Sequence, residues 1–102
     1  MTTAPAQALP AELTIYTVAA LHPQWMPWLS LAGDNEHFTL DAAAVEEADA
    51  AGVQLLLSLS AALQRQGRAL RLVGPSAALL ATCEALGLAD WARLACAEEQ
   101  AA

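Results

Sequence analysis

Basic residues are scarce in this chain: four Lys+Arg stand against eleven Asp+Glu in 102 residues, for a formal net charge of −7. No basic stripe exists, which argues against nucleic acid and anionic membrane surfaces as partners. Cysteine is limited to Cys83 and Cys96, which lack close metal-ligand spacing, and no histidine pair completes a site. They read as buried or half-buried thiols in a reducing cytosol. There is no Gly-rich phosphate loop, and His22 and His37 have no nucleophile with a base-and-orienter set. No metal, cofactor or enzymatic activity is therefore expected. Residues 1–7 contain neither Lys nor Arg and no apolar h-region, so no signal peptide is expected. The Ala/Leu-rich stretch 77–97 includes Glu84, Asp90 and Arg93, which are costly in hydrocarbon. The expectation is a cytoplasmic protein without direct membrane insertion.

Apolar residues are plentiful. They make up 57% of the chain, with only 15% charged, which argues against disorder. A chain of this length forms one domain and buries one core without disulfides or metal. The apolar content exceeds what one small core hides, and a protein partner or a homodimer is the usual reason.

Along the chain, 1–5 reads as a frayed tail and 6–9 as a short strand stopped by Pro10. Thr14 and Thr17 are helix N-cap types. They precede a helical stripe of Leu21, Trp25, Trp28 and Ala32 that ends at Gly33. Pro23 and Pro27 inside it predict a bent or interrupted helix. His37–Leu40 reads as a strand closed by Asp41, and 42–51 as a loop. A second helix is expected from Gly52 to about Gln66, with Leu56, Leu59 and Leu63 inward and Gln54, Ser58 and Arg65 on the polar side. Gly67 is its left-handed stop. Ala69–Val73 alternates as a strand. Ser76 caps a third helix that carries Leu79, Leu80, Cys83 and Leu86 and ends at Gly87. Residues 88–96 read as a turn followed by a strand at Arg93–Cys96, with Trp91 sealing the end of the core and a loose tail from 97 to 102. Strands alternating with helices give an α/β layer fold in a single domain over 6–96.

The stretch 38–57 resembles the central signature of STAS domains: a buried strand, an acidic end, a short loop, then Asp-[Ser/Thr]-[Ser/Thr/Ala]-Gly-[Leu/Val] opening a helix. Here that motif is Asp49, Ala50, Ala51, Gly52 and Val53. Upstream, 12–17 is similar to the family's Gly-Glu-Leu-Asp turn; downstream, 67–76 is similar to its strand and Asn-Pro-Ser turn, and 82–88 to its third helix and exit. The resemblance, spanning about residues 9–95, implies a STAS-type small mixed sheet of about four strands covered by three to four helices. It also implies a bacterial regulatory domain like the anti-sigma-factor antagonists, working in signal transduction and transcription regulation by protein–protein contact. The implied partner is an anti-sigma factor or a switch or sensory kinase of the GHKL type. A second implied role is an accessory subunit docking on the ATPase of a bacterial phospholipid-transport ABC complex. The family's phosphorylated Ser or Thr just before the glycine is replaced by Ala51, and its neighbour is Ala50, so the standard phosphate switch does not carry over. The chain is then either permanently binding-competent or structural within a larger complex. The N-terminal part is short for the family, so its first strand is expected to be missing or reduced. That would leave a sheet edge that a homodimer can cover.

Independently of the family, Asp49 suits capping of the second helix through the N–H groups near Ala51 and Gly52, and Gly52 suits close backbone approach or a positive φ. Asp41, Glu46, Glu47 and Asp49 make an acidic corner, read as a solvated loop able to steer a basic partner rather than a metal site. Trp25, Met26 and Trp28 of the first helix, with Gln54 of the second, are interface candidates. For the tryptophans, core packing and an exposed binding anchor both remain open. A nucleotide or lipid binder would need a pocket that the sequence does not show.

Overall fold

The computed structural model describes the backbone of residues 7–31 and 37–101; within these, side chains are described except for 26, 28–31, 37 and 97–101. Five strands and four helices follow in chain order among the described residues: β1 (Gln7–Ala8), β2 (Glu12–Leu13), α1 (Val18–Leu31), β3 (His37–Asp41), β4 (Glu47–Ala48), α2 (Ala50–Arg65), β5 (Ala69–Val73), α3 (Ala77–Ala85) and α4 (Ala89–Ala101). The α/β layer architecture is the expected one. The strands divide into two small sheets, β1-β3-β5 and β2-β4, and every pairing among the described residues is parallel.

The sheet centre is β3, whose Phe38 and Leu40 lie in register with Leu70 and Leu72 of β5. All four are buried, as the two-residue period of the strands requires. Ala42 N–H donates to Val73 O and Ser76 N–H to Ala42 O, so the chain leaving β3 is tied to the turn that follows β5. Strand β1, described over Gln7–Ala8, sits at the sheet edge beside β3.

Helix α2 packs the stripe Val53, Leu56, Leu59 and Leu63 into the core. These residues recur at helical spacing on one face, and Gln54, Ser58 and Arg65 are exposed on the other. At its end Gly67 takes φ 75°, Gly67 N–H bonds Gln64 O and Arg68 N–H bonds Leu63 O. These two bonds satisfy carbonyls that the helix leaves over, as does the matching pair around Gly87 at the end of α3. Ser76 Oγ accepts from Leu79 N–H at 3.1 Å, capping α3 as its sequence predicts.

Three expectations are corrected. Of the bent or interrupted helix expected, the interruption is excluded: α1 runs from Val18 to Leu31 with Pro23 and Pro27 inside it. Both prolines are exposed, and the carbonyls they leave without a donor, of Ala19 and Pro23, belong to the same solvent-facing stripe, where water can replace the lost bonds. Its expected stop at Gly33 lies outside the described residues, as do Ala32 and the tail 1–5. Next, 42–51 is not a continuous loop: it contains β4 and the first residues of α2, which starts at Ala50 rather than Gly52. Finally, 88–96 contains no strand. Helix α4 occupies it and runs through Ala101, past the boundary at 96 read from the sequence. Alanine-rich composition favours the helix, and Trp91, Ala92, Ala95 and Cys96 recur on one helical face against the core. Trp91 is half-buried there, and Arg93 pairs with Asp90 one turn back at 2.7 Å.

Cys83 is wholly buried and Cys96 partly so, and both are free thiols. Burial pushes the Cys83 thiol up, and the nearby Cys96 adds in the same direction, which suppresses the thiolate and its chemistry.

Candidate interaction corner

The motif residues 49–53 meet the turn 14–17 at one corner of the molecule. Strands β2 and β4 bring the two segments together, with Glu12 opposite Glu47 and Leu13 opposite Ala48. Just past that pairing, Asp49 N–H donates to Leu13 O at 3.2 Å. The Asp49 carboxylate then serves both segments. Its Oδ1 accepts from Gly52 N–H at 3.0 Å, the expected helix cap, and its Oδ2 accepts from Ile15 N–H at 3.0 Å across 34 positions of sequence. These bonds, Gly52 first and Ile15 second, hold the Asp49 carboxyl below the usual carboxylate range, because each favours the charged form.

Gly52 makes the junction possible through close approach, not through a positive φ. A Cβ built on it would lie 2.0 Å from Leu13 O and 2.6 Å from Leu13 C. The end of β2 thus runs directly against the first turn of α2, and no side chain fits between them. The neighbouring carbonyl of Ala48 accepts from the Thr82 hydroxyl of α3 at 3.2 Å, which secures the other side of the junction.

The turn 14–17 is fixed by its own hydroxyls. Thr17 Oγ1 accepts from Thr14 N–H at 3.0 Å and donates towards Glu12 O at 3.0 Å. Thr14 Oγ1 donates to Glu12 Oε2 at 2.6 Å and accepts from Tyr16 N–H at 3.2 Å. With the polar groups turned inward, the two large side chains point out: Ile15 is 62% exposed and Tyr16 87% exposed. Leu80, Leu86 and Leu94 are exposed as well; Ile15 and Tyr16 differ in being adjacent on a hydrogen-bonded turn, and contiguous apolar surface is what marks a contact site.

Of the expected motif residues, Ala50 is exposed, Asp49 and Ala51 are half-buried, and Gly52 and Val53 are buried. Only the first three can meet a partner directly; Gly52 and Val53 shape the corner from behind. Gln54 is exposed in the next turn. Trp25 is 2% exposed and belongs to the core, so of its two readings core packing holds and the surface anchor does not. The side chains of Met26 and Trp28 lie outside the described ones. Asp41, Glu46 and Glu47 are exposed, and Asp41 Oδ1 accepts from Ala43 N–H at 3.0 Å. Among the described residues no group of three or more His, Cys, Asp or Glu is placed to hold a metal ion. No helix among them is long and apolar enough to cross a membrane.

Ile15 and Tyr16 escape a pattern-based reading because they precede the helical stripe and sit in a turn. The available signal was the pair of threonines around them: hydroxyls that cap a turn leave the residues between them facing outward. Compared with known proteins, residues 4–95 match the family model described as "Mlab, STAS domain". No curated protein and no solved structure matches the chain.

Proposed function

The chain belongs to the STAS family, and from that premise we propose that it is a non-catalytic interaction module that binds a protein partner through the corner built around Asp49. Its fold is the regulatory and interaction fold of the anti-sigma-factor antagonists. The observation that carries the reading is the pairing, by one carboxylate, of the 14–17 turn with the α2 N-terminus. That clamp holds Ile15 and Tyr16 outside the core beside the accessible Ala50 and Ala51. An aromatic side chain on a rigid base loses little conformational freedom on binding and suits an interface anchor. Glu46 and Glu47 add negative charge close by and favour a partner with a basic rim.

In this reading the partner is an anti-sigma factor or a GHKL-type kinase. Ala51 offers no oxygen for phosphate, so binding is not turned off at that position. A native co-purification of the tagged chain, with soluble and membrane fractions analysed separately, identifies the partner. Against that partner, Ala51→Glu and Tyr16→Ala are each expected to weaken binding at least about tenfold, in line with interface anchors, while leaving the far-UV circular dichroism unchanged. Undiminished affinity in both variants would place the interface elsewhere.

A second reading has its own support, because the matched family description carries the name Mlab. In it the chain docks on the ATPase of a bacterial phospholipid-transport ABC complex. Recovery of an ABC ATPase and permease from the membrane fraction, rather than a cytosolic kinase, would decide for this reading.

A further inference from the structure

Helices α1 and α2 enclose a groove of about 220 Å³. Its lining is graded. Trp25 and Leu59 are buried at its inner end, and Leu55 and Ala62 are half-buried along its walls. His22, Ser58 and Arg65 are exposed and bring the polar groups to its mouth. A concave apolar site with a few polar groups on its rim suits a small ligand, and at about 220 Å³ this one is below the roughly 300–1,000 Å³ of drug-sized sites.

Arg65 differs from the other arginines in lying at this groove; the side chain of Arg71, like that of Arg65, makes no hydrogen bond or ion pair among the described residues, but it is in β5. Arg93 is held by Asp90, Arg68 is buried with its Nη1 donating to Gln66, and Arg71 is half-buried in β5. Arg65 is exposed at the end of α2 and makes no hydrogen bond or ion pair among the described residues. In a chain of net charge −7, a cation left over at the mouth of an apolar groove selects an anion. Its guanidinium offers the planar fork that matches a carboxylate.

From this we propose that the α1–α2 groove binds a small anionic amphiphile, with a short apolar tail against Trp25 and Leu59 and a carboxylate at Arg65. The volume sets the size. A groove of about 220 Å³ admits a short tail of several carbons rather than a long acyl chain. The site lies along α2 beyond its first turn and does not depend on the reading of the Asp49 corner.

Octanoate is the probe, titrated into the isotope-labelled full chain and followed by amide chemical shifts. Saturable shifts confined to residues around His22, Trp25 and 55–65 are expected, with a dissociation constant of about 1 mM or tighter. Arg65→Gln, an exposed substitution, is expected to weaken binding about tenfold, as loss of a charge-assisted bond does, and 1-octanol is expected to bind the wild type with similarly reduced affinity. Ala62→Leu fills the groove and is expected to abolish the shifts without unfolding α2. No saturable shift up to about 10 mM, shifts scattered over the whole surface, or octanol binding as tightly as octanoate would overturn the proposal.

Discussion

Replacing Gly52 by alanine is expected to destabilise the protein, against the ordinary effect of that change in a helix. Inside a helix, Gly→Ala gains about 1 kcal/mol from backbone entropy and helix propensity. Here the new Cβ meets Leu13 O at 2.0 Å, and both that oxygen and Leu13 C belong to backbone. Restoring even a tight 3.0 Å contact moves β2 and α2 apart by about 1 Å. That displacement stretches the Asp49 N–H bond to Leu13 O and the Asp49 carboxylate bond to Ile15, which are already 3.2 and 3.0 Å long. Overpacking costs about 1–3 kcal/mol, and each weakened hydrogen bond about 0.5–1.5 kcal/mol. Set against the propensity gain, the net loss is about 1–5 kcal/mol. In urea, with a slope of about 1–3 kcal/mol/M, the midpoint falls by roughly 1 M. Ala61→Gly, exposed in the same helix, is the control: it is expected to cost about 1 kcal/mol by propensity alone. A Gly52→Ala protein as stable as the wild type, or more so, would refute the close-approach argument.

The pH dependence of stability carries the signature of Asp49. Its folded carboxyl titrates below the unfolded value of 3.8, so its contribution is fully present above that value and is lost as pH falls through the lower folded one. Asp49→Asn is expected to flatten this part of the acid limb below about pH 4, read from urea midpoints between pH 2 and 6; an unchanged limb would remove Asp49 from the account. Ser76→Ala deletes the α3 cap and is expected to cost about 1 kcal/mol, a fall of roughly 4–8 °C in melting temperature for a domain near this size, measured by calorimetry.

Elements with a local signal were legible in the sequence. β5 alternates within its own five residues, and Ser76 and Asp49 announce their helices by chemistry that acts within three positions. β2 and β4 could not be read, because two residues define no period and each exists only through the other. The last helix was read as a strand although its alanines favour a helix, because Arg93–Cys96 is too short to display a helical period; the packing of Trp91, Ala92 and Ala95 on the core displays it. The motif around Asp49 was visible as a cap. Its second bond, to Ile15, was not, since nothing in either segment specifies a partner so distant. The exposed pair at 15–16 became visible only when the turn's hydroxyls were seen to bond inward.

The parallel pairing of β2 with β4 makes the order of synthesis matter. The 14–17 turn is made early with its own hydroxyl bonds, but the carboxylate that ties it to α2 belongs to Asp49, and Asp49 is itself held by a helix made later still. A nascent or unfolded chain therefore lacks the docking of Ile15 and Tyr16 beside the α2 N-terminus that the finished molecule presents. A partner that reads the corner discriminates folded from unfolded copies, and by mass action it protects those it binds: at a hundred times its dissociation constant it adds about 2.7 kcal/mol to the stability of the chain. The cellular level of such a module would then follow the level of its partner, with unbound copies the first to be lost to proteolysis.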